Sequence, residues 1–398
     1  MTERRFPALD GMRAVAAFGI IATHAGFASG RSLDNDLLAA FLGRFDFGVA
    51  LFFVISGLVL YRPFVARSLA GSPDPAPGSF WLRRLIRIVP ALWLMLAVTL
   101  GALSQRADTV SDWVHYLLLI QVYDHHELDP NLSQLWTLSA ELAFYALLPV
   151  LAALVRRAAR TPAARLRGHL LVVATALVTA LVFNLVQTHL LRNTQALLWA
   201  PCYLDWFGLG MLLAVLSAAG PAELASLPVA RRLRVLFGEW AGAPVSCWLA
   251  AALLWLLSTT QVATPRTVTA PTFWQWTVQH YLFGAAALLV FIPLVFGSGG
   301  RVGALLGSGP AGLLGQLSYS IYLWHLPLLL FLQRELGYRA FDGHFGTLLV
   351  LTTLAAVAVA ALSWYSLERP LLRYDSRRRR QAGSPAAAVS TTADSVSS

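Results

Sequence analysis

Arg13 and His24 stand 11 residues apart in an otherwise apolar run. At about 100° per residue, that spacing brings them within roughly 20° of each other on a helix and about 16 Å apart along it. One helical face then carries a guanidinium near one end and an imidazole beyond the middle. An ionisable side chain in a membrane-crossing segment costs several kcal/mol unless it is paired or hydrated, so each one needs a reason. Arg84 and Arg87 fall one turn apart in Phe80-Trp81-Leu82-Arg83-Arg84-Leu85-Ile86-Arg87-Ile88-Val89-Pro90. Two guanidiniums on one face beside Arg13 make a bidentate anion site suited to phosphates, whereas Arg83 reads equally well as an interfacial anchor. Glu141, in Trp136-Thr137-Leu138-Ser139-Ala140-Glu141, is expected at the depth of His24. A carboxylate can orient an imidazole and stabilise its protonated form, and histidine suits proton transfer near neutrality. Glu141 and His24 therefore read as an orienter and a base. Asp205 and His325 fall at similar levels of their own spans, where they serve either proton transfer or hydrogen bonding between helices.

The elements that must position these groups are membrane helices. The chain has 398 residues, of which 57% are hydrophobic and only 13% charged, against about a quarter charged in soluble chains. Apolar runs near the roughly 20 residues needed to cross a bilayer recur near Leu9 to Ala28, Gly48 to Phe64, Leu85 to Ser104, Leu135 to Val155 and Leu170 to Thr188. Five more follow near Ala196 to Leu216, Val245 to Thr260, Val278 to Phe296, Ala311 to Phe331 and Phe345 to Tyr365. Trp113 to Tyr123 is too short for a confident crossing. If it does not cross, 22 arginines fall on the side of the N-terminus and 7 on the other, with Arg13 inside the first helix. Positively charged loops stay cytoplasmic, so the expected fold is all-α: a polytopic bundle of about ten spans, multi-pass in the inner (plasma) membrane, with both termini cytoplasmic. Trp113 to Tyr123 is then an interfacial or re-entrant piece. Residues 1–375 read as one membrane domain and 376–398 as a disordered tail, because Arg377 to Arg380 and the Ser/Ala/Thr stretch after them cannot bury a core.

The same residues exclude other classes. All 30 basic residues are arginine, which with abundant alanine looks like the coding bias of a GC-rich, bacterial genome. Net charge is +10, but the arginines are spread through short loops rather than gathered among aromatics. They suit lipid headgroups and topology better than nucleic acid. Cys202 and Cys247 lie in separate apolar runs without ligand spacing, so no disulfide framework or metal site is indicated. His125 and His126, between Asp124 and Glu127, lack further ligands for a metal. Arg13 and His24 inside the first apolar run argue against a cleaved signal peptide.

In order and spacing, the chain resembles acyltransferase family 3, a family of membrane acyltransferases. The carrying motifs are Leu9-Asp10-Gly11-Met12-Arg13 leading to His24, Gly48-Val49-Ala50-Leu51-Phe52-Phe53-Val54-Ile55-Ser56-Gly57, and Arg84-Leu85-Ile86-Arg87-Ile88-Val89-Pro90. Further on come Trp136 to Glu141 with Tyr145, Ser318-Tyr319-Ser320-Ile321-Tyr322-Leu323-Trp324-His325-Leu326-Pro327, and Glu368-Arg369-Pro370. The resemblance implies a ten-helix enzyme that takes an acyl group, often acetyl, from cytoplasmic acyl-CoA as co-substrate, with no permanently bound cofactor. It implies a hydroxyl acceptor on a cell-envelope polysaccharide, lipid, peptidoglycan or secondary metabolite. By the same likeness His24 is the catalytic histidine, and Arg13, Arg84 and Arg87 are essential arginines.

The two depths of polar groups suit that chemistry. Arginines at the inner mouth can bind the phosphates of CoA while His24 removes the acceptor proton, either directly or through an acyl-enzyme. Trp136, Ser139 and Tyr145 are candidate donors to the tetrahedral oxyanion. The rival class is a membrane transporter of a small anion or glycolipid, coupled to protons through Glu141, Asp205 and His325. The absence of an internal repeat disfavours it.

Overall fold

The computed structural model describes residues 6–103, 109–123, 129–187, 190, 193, 195–263 and 272–382, and its described regular elements are all helical. The principal helices are α1 (Pro7–Ala28), α2 (Phe47–Leu69), α3 (Pro77–Val98), α4 (Trp136–Ala158), α5 (Pro162–Val186) and α6 (Leu204–Ala218). They are followed by α7 (Pro228–Gly242), α8 (Pro244–Ser258), α9 (Phe273–Phe296), α10 (Gly309–Glu335), α11 (Phe345–Ser363) and α12 (Arg369–Ala382). Proline opens many of them, where its missing N–H would have no partner anyway. Thr161 and Thr272 cap α5 and α9 through their side chains. Pro63, Pro90, Pro149, Pro293 and Pro327 lie inside helices; neighbouring helices make this tolerable in a membrane bundle.

Among the described residues, eight stretches are long and apolar enough to cross a membrane, or nine if α7 and α8, bent by 97° at their junction, form one broken span. The sequence led us to expect about ten, and the difference lies in two places. The expected span at Val245 to Thr260 is α8, only 15 residues long and joined to the arginine-bearing α7. The expected span at Ala311 to Phe331 falls within α10, whose 27 residues reach about 40 Å. Buried Ser318, Ser320, His325 and Gln333 interrupt the apolar run of α10 and keep it outside the eight, yet it packs against α1 and α11 in the body of the bundle. Trp113 to Tyr123 forms a nine-residue helix, Val110–Leu118, and a short 3₁₀ turn, Gln121–Tyr123; at about 14 Å the helix cannot cross. Helix α12 runs to Ala382 and so includes residues 376–382 of the expected tail, and residues 383–398 lie outside those described.

Two close contacts hold the elements that carry the polar groups. Where α2 crosses α6, a Cβ on Gly57 would lie 2.1 Å from the Phe207 carbonyl oxygen, and one on Gly210 would lie 2.1 Å from that of Val54. Small residues that let backbones meet are the usual glue of membrane helices, since lipid supplies no hydrophobic drive between them. Gly315 of α10 likewise abuts the Asp10 carbonyl of α1, where a Cβ would stand 2.0 Å away. This contact fixes His325 relative to Arg13 and His24.

Candidate active site

Three cavities follow one another along α2. The first, about 330 Å³, is bordered by Asp46 and Val49 of the α2 end and by His24 of α1. The second, about 210 Å³, is bordered by Val49, Phe52, Ser56, Val59 and Leu60. The third, about 600 Å³, is bordered by Val59, Leu60, Pro63 and Arg67. Val49 and Tyr322 line both the first and the second, whereas Val59, Leu60 and Arg84 line both the second and the third. From Asp46 to Arg67 the helix rises about 30 Å, close to the hydrocarbon thickness of a bilayer.

The middle cavity gathers Arg13, Arg84 and Arg87 with Glu141 and Tyr145. Arg13 pairs within its own helix with Asp10 at 2.6 Å. Arg84 lies beside the Phe80 ring, 5.9 Å from its centroid, and its Nε has no hydrogen-bond partner among the described residues. Glu141 accepts a 2.6 Å hydrogen bond from the Ser56 hydroxyl across the α2–α4 contact. The cavity thus holds three guanidiniums against one carboxylate of its own, with Asp10 beside Arg13. Such a site is arranged to receive an anion, and guanidinium forks match phosphate. The third cavity extends it with Arg67, Arg83 and the half-buried Asp74. Burial pushes the Asp74 carboxyl above its ordinary range, against the pull of Arg156, whose guanidinium stands 3.6 Å away.

Glu141 and His24 do not meet as the sequence led us to expect. The reason is helical rise. A 3₁₀ turn, Pro130–Leu135, precedes α4, so Glu141 lies about 20 Å from the start of that helical stretch rather than a single turn. His24 borders the first cavity instead, its ring centroid 5.1 Å from that of His325. His325 is fully buried; Nδ1 bonds to the Tyr322 carbonyl, and Nε2 has no partner among the described residues.

Asp205 and His325, expected at similar levels of their own spans, share no hydrogen bond. Asp205 instead pairs with His280 of α9, Oδ2 to Nε2 at 2.7 Å, and both are buried. Sequence reasoning passed over His280 because it stands at the edge of its apolar run, where a histidine reads as interfacial; the rule that singled out His24 would have found it. Ser56 and Tyr322 were quoted only as parts of motifs. Tyr322 borders both of the first two cavities and is fixed by two bonds, to the Thr137 hydroxyl at 2.8 Å and to the Gln134 carbonyl at 2.9 Å.

The candidate oxyanion donors part company. Trp136 borders the first cavity and Tyr145 the second. Ser139 directs its hydroxyl at the Leu135 carbonyl and accepts a bond from Gln121, which leaves no proton for an oxyanion. His125 and His126 lie outside the described residues. Among the described residues no group of three or more His, Cys, Asp or Glu side chains could hold a metal ion.

Comparison with known proteins places the chain in one family. The family described as "Acyltransferase domain" matches residues 6–367. BcsY of Komagataeibacter xylinus, named as a membrane-bound transacylase, is 26% identical over 385 residues, covering 93% of this chain and 83% of that protein. The O-acetyltransferase OatA of Staphylococcus aureus is 29% identical over 164 residues, and a protein of strain COL named as an O-acetyltransferase is 31% identical over 163. Each of those matches covers 37% of this chain and 25% of the relative, so the chain spans a quarter of their length. No solved structure matches the chain.

Proposed function

We propose that this chain, which belongs to the acyltransferase family it matches over residues 6–367, moves an acetyl or similar acyl group from acyl-CoA to the hydroxyl of a carbohydrate, lipid or secondary-metabolite acceptor. The carrying observation is the middle cavity, where Arg13, Arg84 and Arg87 outnumber Glu141 between an arginine-lined chamber and the chamber of His24.

In this reading the arginine-rich end faces the cytoplasm, both termini lie there, and the membrane is the plasma membrane. Arg84 and Arg87 hold the CoA phosphates, and the pantetheine arm runs along α2 toward Tyr322. His24 takes the proton of the acceptor hydroxyl as its oxygen attacks the thioester carbon. The C–O bond forms, the C–S bond breaks, and the departing thiolate receives the proton from His24. Trp136 borders the chamber of His24 and supplies an indole N–H where negative charge develops on the carbonyl oxygen.

The test is turnover of radiolabelled acetyl-CoA by membranes holding wild type, His24→Ala or Arg87→Ala at equal levels. Turnover that vanishes in His24→Ala, with a raised acetyl-CoA KM in Arg87→Ala, supports the reading. Absence of acyl-CoA turnover with several chain lengths, together with anion flux that depends on Glu141, replaces it with a transporter.

A further inference from the structure

His280 is held more firmly than any other imidazole bordering these cavities. Asp205 stands in the first turn of α6, where the exposed N–H groups of a helix favour negative charge. Its Oδ1 accepts the Trp206 N–H at 2.8 Å and its Oδ2 meets His280 Nε2 at 2.7 Å. The rings of Trp206 and Trp276 stack on the imidazole at centroid distances of 4.4 and 5.1 Å, and the Trp206 indole donates to the His280 carbonyl at 3.1 Å. With Nε2 donating to Asp205, Nδ1 is left as an acceptor, and it has no hydrogen bond among the described residues. His280 and His24 border the same 330 Å³ cavity, together with Asp46, whose Oδ1 is also unpartnered among the described residues.

A fixed imidazole with a free lone pair, on the border of a chamber that also holds His24, is built to receive an O–H. We propose that the Asp205–His280 pair binds a second hydroxyl of the acceptor, adjacent to the one that reacts, so that the substrate class is a polyol ring rather than a simple alcohol. This rests on the acyl-transfer reading above. His280 touches the acceptor, Asp205 is the positioning residue that sets its tautomer, and the stacked indoles give the ring a flat wall. Asp46 accepts a bond from Gln279 at 3.1 Å and borders the same chamber. A site that hydrogen-bonds a substrate hydroxyl rejects the analogue lacking it, because its own polar groups are then left unpaired.

The experiment compares cis-cyclohexane-1,2-diol with cyclohexanol as acceptors of acetyl from radiolabelled acetyl-CoA. It uses the full chain, purified in detergent, and His280→Gln and Asp205→Asn variants that elute as wild type on size exclusion. The expected wild-type preference for the diol is about 10-fold or more in kcat/KM. In His280→Gln it falls to within about twofold, in Asp205→Asn it falls by a smaller factor, and the acetyl-CoA KM stays within about twofold in both. An enzyme that turns over acetyl-CoA but accepts neither probe, or treats both alike, overturns the inference alone, as does a preference that survives in His280→Gln. Absence of any acetyl-CoA turnover by wild type overturns the acyl-transfer reading and this inference with it.

Discussion

The rings of His24 and His325 face each other with centroids 5.1 Å apart, and among the described residues no carboxylate hydrogen-bonds either one. With Nδ1–H donated to the Tyr322 carbonyl, His325 keeps Nε2 as an acceptor that can take an N–H from His24 and fix its tautomer. His325→Ala is expected to lower kcat about 10-fold or more, with the acetyl-CoA KM unchanged. Steady-state kinetics at equal protein levels checks this; an unchanged kcat makes His325 a packing residue only.

Glu141 offsets the half-buried guanidiniums of the middle cavity. Removing its charge leaves the mutual repulsion of Arg13, Arg84 and Arg87 uncompensated, so Glu141→Gln is expected to melt below wild type. An added polyanion replaces the lost charge. Saturating CoA should therefore raise the melting temperature of Glu141→Gln more than that of wild type, and equal shifts would remove the charge argument.

Tyr322 borders both of the two smaller cavities, and its hydroxyl is tied to Thr137 and Gln134. On the acyl-transfer reading, Tyr322→Ala should open one chamber to the other and admit water to the thioester. Acetyl-CoA hydrolysis without added acceptor should rise relative to transfer in Tyr322→Ala and less so in Tyr322→Phe, which retains the ring. Product analysis after a single addition of acetyl-CoA separates the two fates.

At the α2–α6 crossing there is no room for a side chain on Gly210. Gly210→Val should abolish the monodisperse, detergent-extracted protein. In contrast, Gly312 has nothing within 4 Å of an added Cβ, and Gly312→Ala in the helix interior should be neutral or stabilise by up to about 1 kcal/mol. Fluorescence-detected size exclusion and thermal melts read both outcomes.

The membrane bundle was legible because apolar length and arginine placement answer directly to the bilayer. Arg84 and Arg87 were legible as a pair because helical period alone brings them onto one face, and Arg13 joined them only by standing at the same mouth of the bundle. What escaped was lateral pairing. Depth along a helix says which groups share a level, not which helices touch, so Glu141 was matched with His24 when its hydrogen bond runs to Ser56. Asp205 was read without His280 for the same reason. The α2–α6 glycines that decide such neighbours are ordinary residues in an apolar string until the partner helix is known. Helix α10 exceeds the length of a span while its buried polar residues make it less apolar, so length and hydropathy separate there.

The Tyr322 partition has an electrical consequence. Cavities that succeed one another over about 30 Å would, if joined by water, short-circuit the gradient that energises a cell membrane. An elementary charge crossing such a membrane carries about 2.3 kcal/mol per 100 mV, so even a slow proton leak would drain power continuously. A phenol ring held by Thr137 and Gln134 stands where it would interrupt such a circuit. On the acyl-transfer reading, it would let the protein admit a long thin donor from one side and a compact acceptor from the other while the two aqueous phases keep different potentials.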